Sequence, residues 1–151
     1  MPTAIHRMVE SAKRGENKNV IGRMESGWVV IGETQILPGY CLLLPDPVVP
    51  HLNALQGKQR LRFLNDMCLI GDAILNVTKA LRINYEMLGN LEPALHAHII
   101  PRYANEDVLL KYKPIWFYDW DKAKKFNIAD HGDIFSKIRN ELKLENTYAS
   151  F

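Results

Sequence analysis

The stretch Ala94-Leu95-His96-Ala97-His98-Ile99-Ile100-Pro101-Arg102 sets two histidines one residue apart inside an apolar run. Side chains alternate between the two faces of an extended strand. His96 and His98 therefore point the same way, with Cα atoms about 6–7 Å apart, while Leu95, Ala97 and Ile99 point the other way. A helix would separate the two rings by about 200° around its axis. The β-branched residues and the closing Pro101 favour the strand. One face of it is free for chemistry, and the other belongs to a core.

Working outward, residues 82–88 alternate like a second strand. Asn90-Leu91-Glu92-Pro93 turns it back into the histidine strand, so the two form an antiparallel hairpin. Upstream, between 58 and 81, Leu61, Leu64, Met67, Cys68, Gly71, Ile74, Leu75, Thr78 and Leu81 recur at threes and fours, which predicts a long amphipathic helix. Residues 20–24 and 28–32 read as two strands joined by a tight turn. A third strand at 39–44 is bracketed by Pro38 and Pro45, since proline gives no donor to a central ladder. A proline-rich loop and one helical turn at 51–55 lead into the long helix. At the N-terminus, Ile5, Met8, Val9 and Ala12 make one apolar side of a helix over 3–14 that stops at Gly15. Asp130 is the expected N-cap of a last helix with Ile134, Ile138 and Leu142 as its stripe. The segment 114–120 is the most aromatic of the chain; it can be buried against its own domain or a twin subunit, or serve as a base-stacking platform. The expectation is one α+β domain over 1–151, an antiparallel sheet of about five strands with the long helix on one face and helices at both termini.

Composition narrows the function classes. With 151 residues, 47% hydrophobic and 24% charged, the chain can bury a core without staples. Nineteen basic and 17 acidic residues leave a formal net charge of +2, which makes no general electrostatic case for a nucleic-acid polymer or a membrane as partner. Cys41 and Cys68 lack a partnered spacing and read as small buried hydrophobes of a reducing compartment, with no disulfide. No apolar run is long enough to span a bilayer and no signal region is visible, so the cytoplasm is the expected location.

Taken with its surroundings, the histidine stretch resembles the signature of the histidine triad (HIT) family of nucleotide hydrolases and transferases, His-x-His-x-His followed by two apolar residues and often Pro-Arg. The resemblance runs from 27 to 103 and includes Pro38-Gly39-Tyr40-Cys41-Leu42-Leu43-Leu44-Pro45, which is similar to the family's Pro-Gly-His strand; 104–151 is then a C-terminal extension. Two residues depart from the pattern. Ala94 stands at the first histidine of the triad, and Tyr40 stands where a histidine usually follows Pro-Gly.

The resemblance implies a HIT-like fold and attack by the middle histidine, His96, on the α-phosphorus of a nucleoside phosphate conjugate such as a dinucleoside polyphosphate or a nucleoside phosphoramidate. A covalent nucleotidyl-histidine forms and water hydrolyses it. An imidazole attacks only through an unprotonated nitrogen, so the other nitrogen must hold the proton, usually donated to a backbone carbonyl. His98 matches the third histidine, a donor to a phosphate oxygen. Asn90 stands where the family has a phosphate-binding glutamine, and reads equally as a turn former. Asn84 resembles the family's other amide near the phosphates, and Glu33 the group that hydrogen-bonds ribose hydroxyls, each one residue out of step. Tyr40 could fill the volume that Ala94 leaves and offer its hydroxyl as a donor. Arg102 reads as a solvated strand end or as a phosphate clamp. No metal or other cofactor is required, the partner is a nucleotide-type small molecule, and a homodimer is implied, its interface supplied by the N-terminal helix or the aromatic segment.

Other readings stay open. The chain could be a catalytically weak nucleotide-binding or sensor module of the same fold, because fold does not fix function. It could be a metal-binding protein using His96 and His98 on one strand face. The two histidines could also be hydrogen-bonded members of a core strand.

Overall fold

In the computed structural model, which describes residues 1–145, the histidine stretch feeds strand β5 (Ala97–Arg102). The five strands form one antiparallel sheet in the order β1 (Val20–Arg23), β2 (Gly27–Ile31), β3 (Cys41–Pro45), β5, β4 (Arg82–Glu86). Alternation divides the sheet as expected. Leu95, Ala97 and Ile99 join Val29, Ile31, Cys41 and Leu43 on one face, packed against Phe63, Met67, Ile70 and Ile74 of helix α2 (Gly57–Thr78). On the other face Val30, Leu42, Leu44 and Ile100 are buried with Ile5 and Val9 of helix α1 (Ala4–Lys13) and with Ile115. Each such buried side chain stabilises the fold by about 1.5–3 kcal/mol. Helix α3 (Ile128–Glu145) packs beside α2 through Phe135, Ile138 and Leu142. From it Arg139 donates to the carbonyls of Ile21 and Val20 and so covers the outer edge of β1.

Several boundaries move, each for a local reason. The long helix ends at Thr78 because Lys79 takes a left-handed conformation (φ 58°), which frees Leu81 to donate to the carbonyl of Arg102 and begin the sheet edge. Its buried stripe is Phe63, Met67, Ile70 and Ile74, rotated from the expected one, so Leu61 is exposed. Cys68 is likewise exposed, which corrects its reading as buried; Cys41 is fully buried. α3 starts three residues early, because Asn127 accepts from the Asp130 N–H and is the cap itself; Asp130 lies in the first turn. The segment 114–120 folds back over its own sheet through two short 3₁₀ turns. The last six residues of the expected 104–151 extension lie outside the described residues. No helix among the described residues is long and apolar enough to cross a membrane.

Candidate active site

His96 sits one residue before β5, and its ring still shares a face with His98, the centroids 4.8 Å apart and nearly perpendicular. The chain is pinned here by the Leu95 N–H, which donates to the Val49 carbonyl at 2.8 Å. His96 Nδ1 lies 2.7 Å from the carbonyl oxygen of Ala94. A carbonyl only accepts, so Nδ1 carries a proton, and in the neutral tautomer that this selects, the lone pair is on Nε2. Ala94 itself is fully buried.

The expected partnership of Tyr40 with the alanine position takes a definite form. Tyr40 and Ala94 lie in the same buried cluster, and the tyrosine hydroxyl reaches His98 Nδ1 at 2.6 Å. Burial, with smaller contributions from Cys41 and Glu86, pushes the phenol well above its ordinary range, so the hydroxyl keeps its proton. Burial, and then His96, pushes His98 down to about 4, so its ring is neutral at physiological pH. A buried phenol hydrogen requires an acceptor, and His98 Nδ1 is the one within reach. Tyr40 therefore donates to Nδ1, and the His98 proton resides on Nε2, the nitrogen left for a ligand.

Tyr40 is held by a loop built for it. Gly39 has φ +97°, a conformation that favours glycine, and a Cβ on Gly32 would overlap the Tyr40 ring. The buried Gln35 amide donates to the carbonyls of Gly32 and Tyr40 and accepts from the Gly39 N–H. A lone glutamine in a loop has no sequence pattern that would single it out. Nor did the sequence place the aromatic segment. Trp116 stands edge-on to His98 at 5.1 Å, stacks on Trp120 at 5.1 Å, and Trp120 meets the Tyr40 ring at 6.0 Å, closing a circuit of four rings. Glu86, directly across from His98 on β4, accepts from the Trp116 indole N–H.

Arg102 corrects both of its sequence readings. It is buried, and its guanidinium grips the Glu106 carboxylate through Nε and Nη2 at 2.9–3.1 Å. The remaining donors go to Asn84 Oδ1 and to the carbonyls of Leu110, Lys111 and Lys113. With every N–H engaged, Arg102 is the anchor that folds the loop after β5 back onto the sheet and so brings Trp116 to His98. Asn84 belongs to this network, two residue pairs along β4 from the Glu86–His98 pair. Asn90 is exposed in the loop between β4 and β5, and Glu33 is exposed just past β2, its carbonyl accepting from the Phe126 N–H. The ring and hydrogen-bond contacts of the two histidines include neither. Among the described residues no group of three or more His, Cys, Asp or Glu is arranged to hold a metal ion.

No family model and no curated protein matches this sequence. Solved structures do. A histidine triad protein from Marinobacter aquaeolei VT8 superposes with a TM-score of 0.74 at 17% identity, covering 94% of this chain and 97% of that one. A histidine triad protein from Bradyrhizobium japonicum gives a TM-score of 0.71 at 23% identity, covering 82% and 91%. A hypothetical histidine triad nucleotide-binding protein from Sulfolobus tokodaii gives 0.71 at 15% identity, covering 91% and 92%. The chain has the fold of histidine triad proteins.

Proposed function

We propose that this chain is a nucleotide hydrolase or nucleotidyl transferase acting at the α-phosphate of a nucleoside phosphate conjugate, with His96 as the nucleophile. The observation that carries the proposal is the 2.7 Å contact between His96 Nδ1 and the Ala94 carbonyl, which selects the Nδ1–H tautomer and so puts the lone pair of the neutral ring on Nε2, turned away from that carbonyl. Nε2 attacks phosphorus, the leaving group departs with the bonding electron pair, and the ring becomes a cation whose Nδ1–H bond to the carbonyl strengthens as charge develops. Water then attacks phosphorus and gives up a proton to solvent, the N–P electron pair returns to Nε2, and the nucleoside monophosphate is released. His98 donates from Nε2 to a phosphoryl oxygen on which charge accumulates. Asn90, Asn84 and Glu33 are proposed as outer contacts of the substrate. Rapid base quenching during turnover of an α-³²P-labelled adenosine conjugate tests the mechanism: label should appear on the peptide containing His96, base-stable and released by later acid treatment. Turnover with no protein-bound label would mean direct attack by water.

In this scheme Tyr40 is a positioning residue that fixes the His98 proton on Nε2. Tyr40→Phe is expected to lower turnover up to about tenfold, the worth of one buried hydrogen bond. It should also turn a single His98 tautomer into a mixture in ¹⁵N NMR. A His98 spectrum identical in both proteins would remove the role.

We further infer a homodimer joined at the open edge of β4, flanked by exposed Leu81, Tyr85, Leu88 and Leu91. The apolar stripe of α1 is already covered by its own sheet. Sedimentation equilibrium should give a dimer that Tyr85→Lys weakens; a monomer at micromolar concentration would rule it out. The absence of a paired cysteine among the described residues, with Cys68 a free exposed thiol, fits a reducing, cytoplasmic setting.

A further inference from the structure

Beside the histidines, on the same face of the sheet, lies a groove of about 550 Å³. Arg82, Asn84 and Glu86 alternate along its β4 wall, and Lys111 and Lys113 face them from the loop that Arg102 holds in place. Its ionisable lining is four cations, Arg82, Arg102, Lys111 and Lys113, against two carboxylates, Glu86 and Glu106, a net charge of +2. The carboxylates are already engaged, Glu106 with Arg102 and Glu86 with the Trp116 indole. Arg82, Lys111 and Lys113 have no carboxylate partner among the described residues. The Asn84 oxygen is occupied by Arg102, so its amide hydrogens remain for a ligand. The groove thus combines three uncompensated cations with a neutral amide donor, on a chain whose overall charge is nearly balanced.

Its position relates it to the chemistry. Glu86 pairs across the strands with His98, and Trp116 touches both, so the groove begins one residue pair from the reacting centre. From Glu86 to Arg82 the strand runs about 13 Å, a length that a short chain of phosphates spans.

We propose that this groove binds the leaving half of the substrate, and that this half is a phosphate-bearing anion, so that the bond broken is a phosphoric anhydride. The proposal rests on the nucleotidyl-His96 reading for the chemistry, while the groove's affinity for a polyphosphate does not. A second feature points the same way. His98 is held neutral, its one proton on Nε2, and Tyr40 cannot readily give up its own to replace it. An amine leaves phosphorus only once protonated, whereas a phosphate departs as an anion. In the step proposed here the Nε2–P bond forms as the anhydride P–O bond breaks. The electron pair leaves with the bridging oxygen of the departing phosphate, and no proton is required.

The test uses the full chain and the double variant Arg82→Ala/Lys113→Ala, both side chains being exposed in the single chain; because Arg82 stands on β4, the edge inferred for the dimer, sedimentation must show that the variant keeps the parent's oligomeric state. Calorimetric titration with inorganic tripolyphosphate should show salt-dependent binding that weakens about tenfold or more in the variant, with the melting temperature as the check on folding. In parallel, the ratio of kcat/KM for diadenosine tetraphosphate to that for adenosine phosphoramidate should favour the anhydride in the parent and fall about tenfold in the variant. Tripolyphosphate that fails to bind the parent, or binds both proteins equally, overturns the groove. A parent that prefers the phosphoramidate overturns the substrate class. Groove-dependent binding of tripolyphosphate without turnover of any conjugate would instead uphold the anion site and defeat the nucleotidyl-His96 reading.

Discussion

His96→Ala abolishes AMP release from every adenosine conjugate that the parent protein turns over, with a chelator present throughout. The expected loss is on the order of 10⁴-fold or more, because the substitution removes the bond-forming atom and leaves only binding and phosphate polarisation to accelerate direct attack by water. It also leaves the Ala94 carbonyl without its donor, at a cost of about 1–3 kcal/mol. Thermal unfolding followed by circular dichroism separates that structural cost from the catalytic one. Comparable release by the mutant would sink the nucleophile assignment. Release by the parent that is seen only when the chelator is left out would favour the metal-binding reading. Nucleotide bound by the parent with no release from any conjugate would make the chain a binding module, and Ala94 the first residue to suspect.

The second large effect falls on stability. Arg102→Ala is expected to destabilise the fold by about 3–5 kcal/mol, the range for removing one partner of a buried ion pair. Glu106, with its side chain only 2% exposed, would be left charged without its cation, the carbonyls of Lys111 and Lys113 would lose their donor, and that of Leu110 would keep only the Lys113 N–H. For a chain of this size that lowers the melting temperature by roughly 10 °C. A pH signature accompanies it. Burial pushes the Glu106 carboxyl up, but hydrogen bonds from Arg102, Tyr118 and the Tyr103 backbone outweigh it and hold the group below the usual carboxylate range. A folded-state pKa below the unfolded one contributes stability that is present above the unfolded pKa and is lost as the pH falls through the folded value. The parent should therefore lose this contribution only in acid, and the variant should lack it at neutral pH. Arg102→Met/Glu106→Leu should recover part of the deficit. A single variant that melts with the parent would show that the loop is held by other contacts.

These two residues also mark how far the sequence could be read. The period-2 alternation around His96 and His98 was enough to assign faces, because a strand buried on one side cannot slip by one residue without inverting its core. The hairpin before it and the Pro-bracketed strand at 39–44 followed from turn and proline chemistry, which are local. Positions that depend on what arrives from elsewhere were not legible. The stripe of α2 was misjudged because Leu61 and Cys68 offer a second apolar side, and only the sheet decides which is buried. Arg102 follows a proline at a strand end, where an arginine is usually solvated; its burial depends on Glu106 and three carbonyls of a loop whose sequence is polar and featureless. Trp116 reaches His98 only because that loop is anchored, so its role was hidden along with the anchor. Asn84, Asn90 and Glu33 rest on the family resemblance, and the contacts of the histidine pair within the chain go to Tyr40, Trp116 and the Ala94 carbonyl.

The close approach of Gly32 to the Tyr40 ring bears on how a mutational scan of this protein should be interpreted. Any side chain at 32 must displace the tyrosine, and the tyrosine fixes the proton on His98. A substitution at 32 would thus score as a catalytic defect although the residue has no functional group at all. Its apparent importance would vanish in a background where residue 40 is small. The two positions form an epistatic pair, and their mutational histories are coupled: tyrosine at 40 is accessible only to sequences that already have glycine at 32.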